Sequence, residues 1–295
     1  MVRVAMLGLG RMGSGMARRL LESDYGLHVC NRTESRAADL IAHGARRFST
    51  PREACVGVDA VVSMVADDQA SQAIWQGPDG ALAASLAPGT LAIECSTLSH
   101  GWVLELSAEV RRLGLRYIDA PVTGLPDAAA LGQLTLLVGA TTEDLDAARP
   151  ILERISHQIL HFGAPGTGTA YKLLVNMLGA VQIASVAETI ALAEKIGLDL
   201  RMVAEALATG QAGSPQVIRN ARRMVDGQGD RPVVFTPQLR LKDVEYALAL
   251  ARTHEIGSPF GVLAARVFRE LCALGYAQAN ESEVIEVARK QPPSG

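Results

Sequence analysis

Lys172 and Asn176 stand four residues apart in Tyr171 to Ile196, a helical pattern interrupted by Gly179 alone. Side chains at i and i+4 share one face of a helix. A lysine on such a face can pass a proton to or from an oxygen, and its charged form stabilises a developing oxyanion. The pattern begins just after Gly163-Ala164-Pro165-Gly166, a breaker-rich joint, so its first turn is expected to face a cleft between domains. A lysine snorkelling over an apolar helix has the same spacing, so the pair alone leaves both readings open.

A second constellation is Gly8-Leu9-Gly10-Arg11-Met12-Gly13, which follows the apolar run Val2 to Leu7 and opens the helical pattern Met12 to Ser23. In a strand-turn-helix unit the first glycine permits the tight turn, the second lets backbone approach a pyrophosphate, and the third lets the helix pack on the strand. The helix N-terminus then offers N–H groups and a positive dipole end to phosphates. The next strand, Leu27 to Cys30, runs into Asn31-Arg32-Thr33. NAD-binding chains of this kind place Asp or Glu there to hold the ribose hydroxyls. Here no carboxylate stands at those positions. The Arg32 guanidinium suits a 2′-phosphate, with Asn31 and Thr33 as hydrogen-bonding partners. The expected cofactor is therefore NADP (as NADPH), in preference to NAD.

The elements that must position these residues change character along the chain. Strand-like runs at Ala60 to Met64, Thr90 to Glu94, Arg116 to Asp119 and Leu134 to Val138 alternate with helical stretches such as Arg36 to His43 and Gly101 to Leu113. That alternation predicts a mainly parallel sheet covered on both faces. Beyond Gly168 strand signals almost vanish, and Arg201 to Thr209, Pro215 to Asp226, Leu239 to His254 and Pro259 to Leu274 read as helices. The expected fold is α/β: an N-terminal Rossmann domain, residues 1–165, then an all-α C-terminal domain, residues 166–295, with a long interdomain helix. The apolar stretch Leu173 to Ala187 carries Asn176, Gln182 and Ser185, and is read as a buried helix rather than a membrane span. The tail from Gln291 is expected to fray.

Composition narrows the function classes. Hydrophobic residues make up 48% and charged residues 20%, which excludes disorder. A net charge of -3 and 4% aromatics argue against a nucleic-acid partner. The four cysteines and six histidines lack metal-ligand spacing, so no metal site is expected, and a reducing, cytoplasmic setting fits.

Five motifs in order give the chain a resemblance to the β-hydroxyacid dehydrogenase family, which includes 3-hydroxyisobutyrate dehydrogenase and the semialdehyde and glyoxylate reductases. GLGRMGSGMARRL resembles the family's cofactor fingerprint, and CSTLS from Cys95 its loop near the nicotinamide. DAPVTG from Asp119 resembles its substrate signature, GTGTAYKLLVNM from Gly166 its catalytic helix, and FTPQLRLKD from Phe235 its cofactor-closing segment.

The resemblance implies hydride exchange between a nicotinamide cofactor and a small 3-hydroxyacid, or its aldehyde or keto acid, with Lys172 as general acid/base. It implies that Asn176 hydrogen-bonds the substrate, that Thr123 and Gly124 hold its carboxylate, and that Thr97 lies beside the nicotinamide. Lys242 is implied to reach over the cofactor, and Met64 and Val65 to lie on its adenine side. Members of the family are commonly dimers or tetramers, so a homodimer or homotetramer is expected. The chain departs from the family at Leu125, where a second glycine is common, at Val175, where an asparagine is common, and at Asn280-Glu281, where an aspartate is frequent. An imine reductase shares the overall fold but usually lacks the helix lysine. A non-catalytic NADPH-binding module is the alternative of another class.

Overall fold

Short runs of β-branched and aliphatic residues build one sheet, described here by a computed structural model covering residues 1–23, 25–227 and 232–290. The tail expected to fray, 291–295, lies outside the described residues. Two compact units divide the chain, Met1–Lys172 and Leu173–Gly295.

In the first unit the strands are β1 (Arg3–Leu7), β2 (Gly26–Cys30), β3 (Arg46–Arg47), β4 (Ala60–Ser63), β5 (Leu91–Glu94), β6 (Arg116–Asp119), β7 (Val122–Thr123), β8 (Leu134–Gly139) and β9 (Ser156–Gly163). The helices are α1 (Arg11–Leu21), α2 (Ala38–Ala42), α3 (Pro51–Ala54), α4 (Asp68–Trp75), α5 (His100–Arg112), α6 (Pro126–Ala130) and α7 (Thr142–Ile155). The strand order is β3-β2-β1-β4-β5-β6-β8-β7, with β9 paired to β8. From β3 to β6 every pairing is parallel. β8 runs antiparallel to β6 and β7 and parallel to β9.

Alternation along each strand builds two cores. Val4, Met6, Val29, Val62, Ile93 and Ile118 face one side. Ala5, Leu7, Val61, Ala92 and Tyr117 face the other, with Trp75, Trp102 and Leu106 from the covering helices. Side chains of period two thus bury both faces, each fully buried Val or Leu contributing about 2 kcal/mol. This is the expected Rossmann sheet. The carboxyl ends of the strands align in one row, Leu7, Ser63, Glu94, Asp119 and Gly139 being successive register partners.

Some elements carry no sequence signal of their kind. α7 contains Pro150, which reads as a breaker, yet it continues through it. β9 is mostly exposed and, among the described residues, pairs with β8 alone, so no apolar run marks it.

The helix α8 (Thr167–Lys195) starts in the first unit and continues into the second. There follow α9 (Leu200–Thr209), α10 (Pro215–Asp226), α11 (Pro237–Thr253), α12 (Pro259–Leu271) and α13 (Ile285–Lys290). Asp199, Ser214 and Thr236 cap α9, α10 and α11 with their side chains. Ala180, Ile183, Ala187 and Ile190, at helical spacing, bury against Ala221, Val244, Phe268 and Leu271. By length and composition α8 is long and apolar enough to cross a membrane; the face with Ala180, Ile183, Ala187 and Ile190 belongs to this core, while Leu174, Leu178 and Leu192 are exposed. The helix expected to reach Leu274 stops at Leu271 and passes into a π turn, where Gly275 has φ +94. That left-handed conformation suits glycine and ends the helix.

Candidate active site

The first candidate surface forms at the carboxyl end of β1. Gly8 has φ +96, and a Cβ there would stand 2.4 Å from the Met64 carbonyl oxygen. A Cβ on Gly13 would stand 2.0 Å from the Gly8 carbonyl oxygen. Both positions therefore demand glycine. Gly10 differs: its Cβ position has only Arg36 Nη1 within reach, at 4.0 Å. Its face is open, as a cradle for a pyrophosphate requires, and no side chain caps α1 behind it. These residues fit a dinucleotide. Leu9 is buried, while Arg11 and Met12 begin α1.

Asn31 ties this loop to β2. Its Oδ1 accepts from the Leu9 N–H at 2.8 Å, and its Nδ2 donates to the Thr33 carbonyl at 2.8 Å. Arg32 and Thr33 are exposed beside it. Sequence reading missed Arg36, whose guanidinium lies 3.5 Å from the Leu9 carbonyl oxygen. Glu34, the first carboxylate after β2, is paired with Arg47.

The loops after β4 and β5 are fastened by Glu94, which sequence reading also passed over as a strand residue. Its fully buried carboxylate accepts from Ser71 Oγ at 2.9 Å, Trp75 Nε1 at 2.8 Å and the Ser96 N–H at 2.9 Å. Burial pushes this carboxyl up, and those donors oppose the shift. Ser96 Oγ in turn accepts from the Val65 N–H at 2.8 Å. The segment of Met64 and Val65 is thereby joined to the loop that carries Thr97, which is half-buried. Cys95 in that loop is fully buried and burial raises its thiol, so it packs rather than reacts.

β6 ends at Asp119, fully buried, whose Oδ1 accepts from the Gly166 N–H at 2.6 Å and Oδ2 from the Thr169 N–H at 2.8 Å. Burial raises its carboxyl to about 6, against the pull of those two donors. Thr123 closes β7 in an exposed position, and Gly124 has φ +140. A Cβ on Gly124 would stand 2.8 Å from a Leu134 methyl. Leu125, by contrast, has φ -102 and ψ 171. Its backbone is extended, so the missing second glycine costs no strain there. Lys172 is half-buried at the end of the first unit, one turn beyond Thr169.

Asn176 follows Lys172 by four residues on the same helix and belongs to the second unit. Its buried amide donates to Asp243 Oδ2 at 2.6 Å. Lys242 Nζ lies 2.9 Å from Asp243 Oδ1 and 5.0 Å from the centre of the Tyr246 ring. Arg240 donates to the Asn176 carbonyl at 3.2 Å and pairs with buried Glu281 at 2.7 Å. Glu281 also pairs with Arg219 at 3.0 Å, and Asn280 Oδ1 accepts from the Val234 N–H at 2.8 Å. The two residues standing in place of the family's aspartate are therefore committed to holding the second unit together.

Known proteins resemble this chain along its length. Residues 3–163 match the NAD-binding domain of 6-phosphogluconate dehydrogenase, and residues 166–288 match the NAD-binding domain of NADP-dependent 3-hydroxyisobutyrate dehydrogenase. The NAD-dependent L-serine dehydrogenase of Pseudomonas aeruginosa is 36% identical, over 96% of this chain and 97% of its own. The 3-hydroxyisobutyrate dehydrogenase of the same organism is 32% identical, over 91% of each chain. A solved structure of Mycobacterium tuberculosis 3-hydroxyisobutyrate dehydrogenase with L-serine superposes with a TM-score of 0.88 at 30% identity, covering 98% of this chain and 99% of that one. Fold, family models and relatives together mark an oxidoreductase acting on the CH–OH group of hydroxyacids with a nicotinamide dinucleotide. The chain belongs to the β-hydroxyacid dehydrogenase family.

Proposed function

We propose that the protein is an NADP-dependent oxidoreductase that interconverts a small 3-hydroxyacid and its aldehyde or keto acid, with Lys172 as general acid/base. The observation that carries the cofactor preference is the charge beyond β2. Arg32 is exposed just beyond β2, Arg36 lies over the glycine loop, and Glu34, the first carboxylate after β2, is paired with Arg47. A 2′-phosphate bound there would be favoured by the guanidinium charge of Arg32 and Arg36. The serine dehydrogenase relative is NAD-dependent by name, which makes this preference a point to test.

The bound cofactor supplies or accepts the hydride. In the reductive direction Lys172 gives its proton to the forming alkoxide, and in the oxidative direction it takes the hydroxyl proton. Asn176, its amide oriented by Asp243, hydrogen-bonds the substrate one turn along the same helix face. Thr123 and Gly124 receive the carboxylate through a hydroxyl and backbone N–H groups. Glu94 holds the loop that carries Thr97 against the Val65 segment, which keeps the nicotinamide side of the site in place. Lys242, beside Asp243, contributes positive charge towards the cofactor.

The protein works as a homodimer or homotetramer in a reducing, cytoplasmic compartment. Free cysteines at Cys30, Cys55, Cys95 and Cys272, and exposed apolar side chains such as Met202, Phe260 and Leu263, support that reading. The deciding experiment is a cofactor-consumption screen with NADPH and NADH across glyoxylate, succinic, methylmalonate and tartronate semialdehydes, and the reverse 3-hydroxyacids including serine. Turnover of one of these acids, faster with the phosphorylated cofactor, is expected. Faster turnover with NADH would overturn the cofactor preference, and reduction of cyclic imines alone would overturn the substrate class.

A further inference from the structure

We infer that Asp119 is a positioning residue for Lys172: its buried carboxylate caps the first turn of α8 and so fixes where the lysine stands. The inference rests on the reading of Lys172 as the acid/base.

The start of a helix leaves backbone N–H groups without intrahelical partners, and a side chain at the N-cap normally accepts from one of them. α8 begins at Thr167, and Gly166 before it has no side chain to offer. Asp119 takes that part from 47 positions earlier in the chain, accepting from Gly166 N–H with one oxygen and from Thr169 N–H with the other. Two charge-assisted bonds at a positive helix end fix both its height and its rotation.

The surroundings are shaped for this carboxylate. A Cβ on Gly139 would stand 2.5 Å from Asp119 Oδ1 and 2.9 Å from the Ala164 carbonyl oxygen. A Cβ on Gly168 would stand 2.1 Å from the Leu137 carbonyl oxygen and 2.8 Å from the Gly139 nitrogen. The first turn of α8 thus rests on β8 at a separation only glycines permit. On the outer side, Gly166 (φ +94) lies against His100 and Leu104. Lys172 follows Thr169 by three residues, one helical turn. Asp119 is fully buried, and each of its oxygens takes an N–H from the same helix end. A carboxylate committed in this way secures position, because a small misplacement of a catalytic group costs rate steeply.

The test compares Asp119→Asn, Asp119→Ala, Gly139→Ala and Lys172→Ala in the full-length protein. Active sites are counted by NADPH fluorescence titration, and kcat and KM are taken per site. Asp119→Asn keeps the shape and one good acceptor. It is expected to bind NADPH within about twofold of the parent while kcat per site falls about tenfold, and Asp119→Ala to fall about a further tenfold. Gly139→Ala presses on the same carboxylate from β8 and is expected to lower kcat per site with Asp119 itself unreplaced, which keeps the inference testable if the Asp119 variants fail to fold. Unchanged kcat per site, with only fewer sites or a lower melting temperature, would overturn the inference, since a residue serving stability alone would do just that. Lys172→Ala separates the two readings: full turnover there sinks the acid/base role itself, whereas loss there with unchanged Asp119 and Gly139 variants sinks the positioning role only.

Discussion

Asn176 Nδ2 donates to Asp243 Oδ2 at 2.6 Å, joining α8 to α11 between side chains that are both buried. The same carboxylate has Lys242 at 2.9 Å on its other oxygen. Replacing Asp243 by Ala removes this partner from the Asn176 amide and this ion pair from Lys242. We expect a stability loss of about 1–3 kcal/mol, the usual cost of an unsatisfied buried group. We also expect kcat/KM for the hydroxyacid to fall more than affinity for the cofactor. Denaturant melts and steady-state kinetics check both; equal losses in substrate and cofactor terms would count against the orienting role of Asp243.

The two arginines beyond β2 predict cofactor choice. Arg32→Asp should raise the KM for NADPH far more than that for NADH. Arg36→Ala should weaken NADPH by roughly ten- to hundredfold, since a hydrogen bond to a charged group is worth about 1.5–3 kcal/mol. Its effect on NADH should be smaller. Parallel shifts for both cofactors in kinetics or calorimetry would refute a 2′-phosphate site there.

Lys172→Ala should lower kcat by roughly two to four decades, the range of general acid–base catalysis. NADPH affinity should hardly change. Stopped-flow hydride transfer, followed by cofactor absorbance, reads the chemical step directly. Near-normal transfer would refute the role.

Burial raises the Asp119 carboxyl from an ordinary 3.8 to about 6. The folded state then binds this proton more tightly than the unfolded chain does. The resulting stability is fully present below about pH 4 and is lost as pH rises through about 6. Asp119→Asn cannot titrate. The melting temperature of this variant relative to the parent should therefore rise between about pH 4 and 6 and level off above. Carboxylates such as Asp39, which Arg18 holds below the usual range, slope the other way, so the paired comparison is needed to isolate Asp119. A pH-independent difference would sink the assignment.

Much of the fold is legible in the sequence because its signals are local. β1 and β4 declare themselves by consecutive β-branched and aliphatic residues, and α10 runs over the expected Pro215–Asp226, capped by Ser214. Elements stabilised mainly by what they touch are silent. β9 gains its strand form from pairing with β8, and α7 continues through Pro150 because its face packs in the core. Leu125 looks like the loss of a permissive glycine, yet its extended backbone shows that the turn never needed one.

The candidate site divides in the same way. Glycine spacing, the absence of a carboxylate at 31–33 and the Lys172–Asn176 interval are short-range facts; the sequence by itself determined the dinucleotide loop and the helix face from them, and the proposed preference for NADP rests on the same stretch. Only the tertiary structure decided which residues hold those groups still. Asp119 meets Gly166, Glu94 meets Ser71 and Trp75, Arg36 lies over Leu9, and Asp243 meets Asn176, across separations of 47, 23, 19, 27 and 67 residues. No local propensity encodes such pairs. They arise because parallel strands bring their carboxyl ends into one row and packed helices bring distant faces together, and a buried carboxylate or amide must then find its partner among whatever the fold has placed beside it.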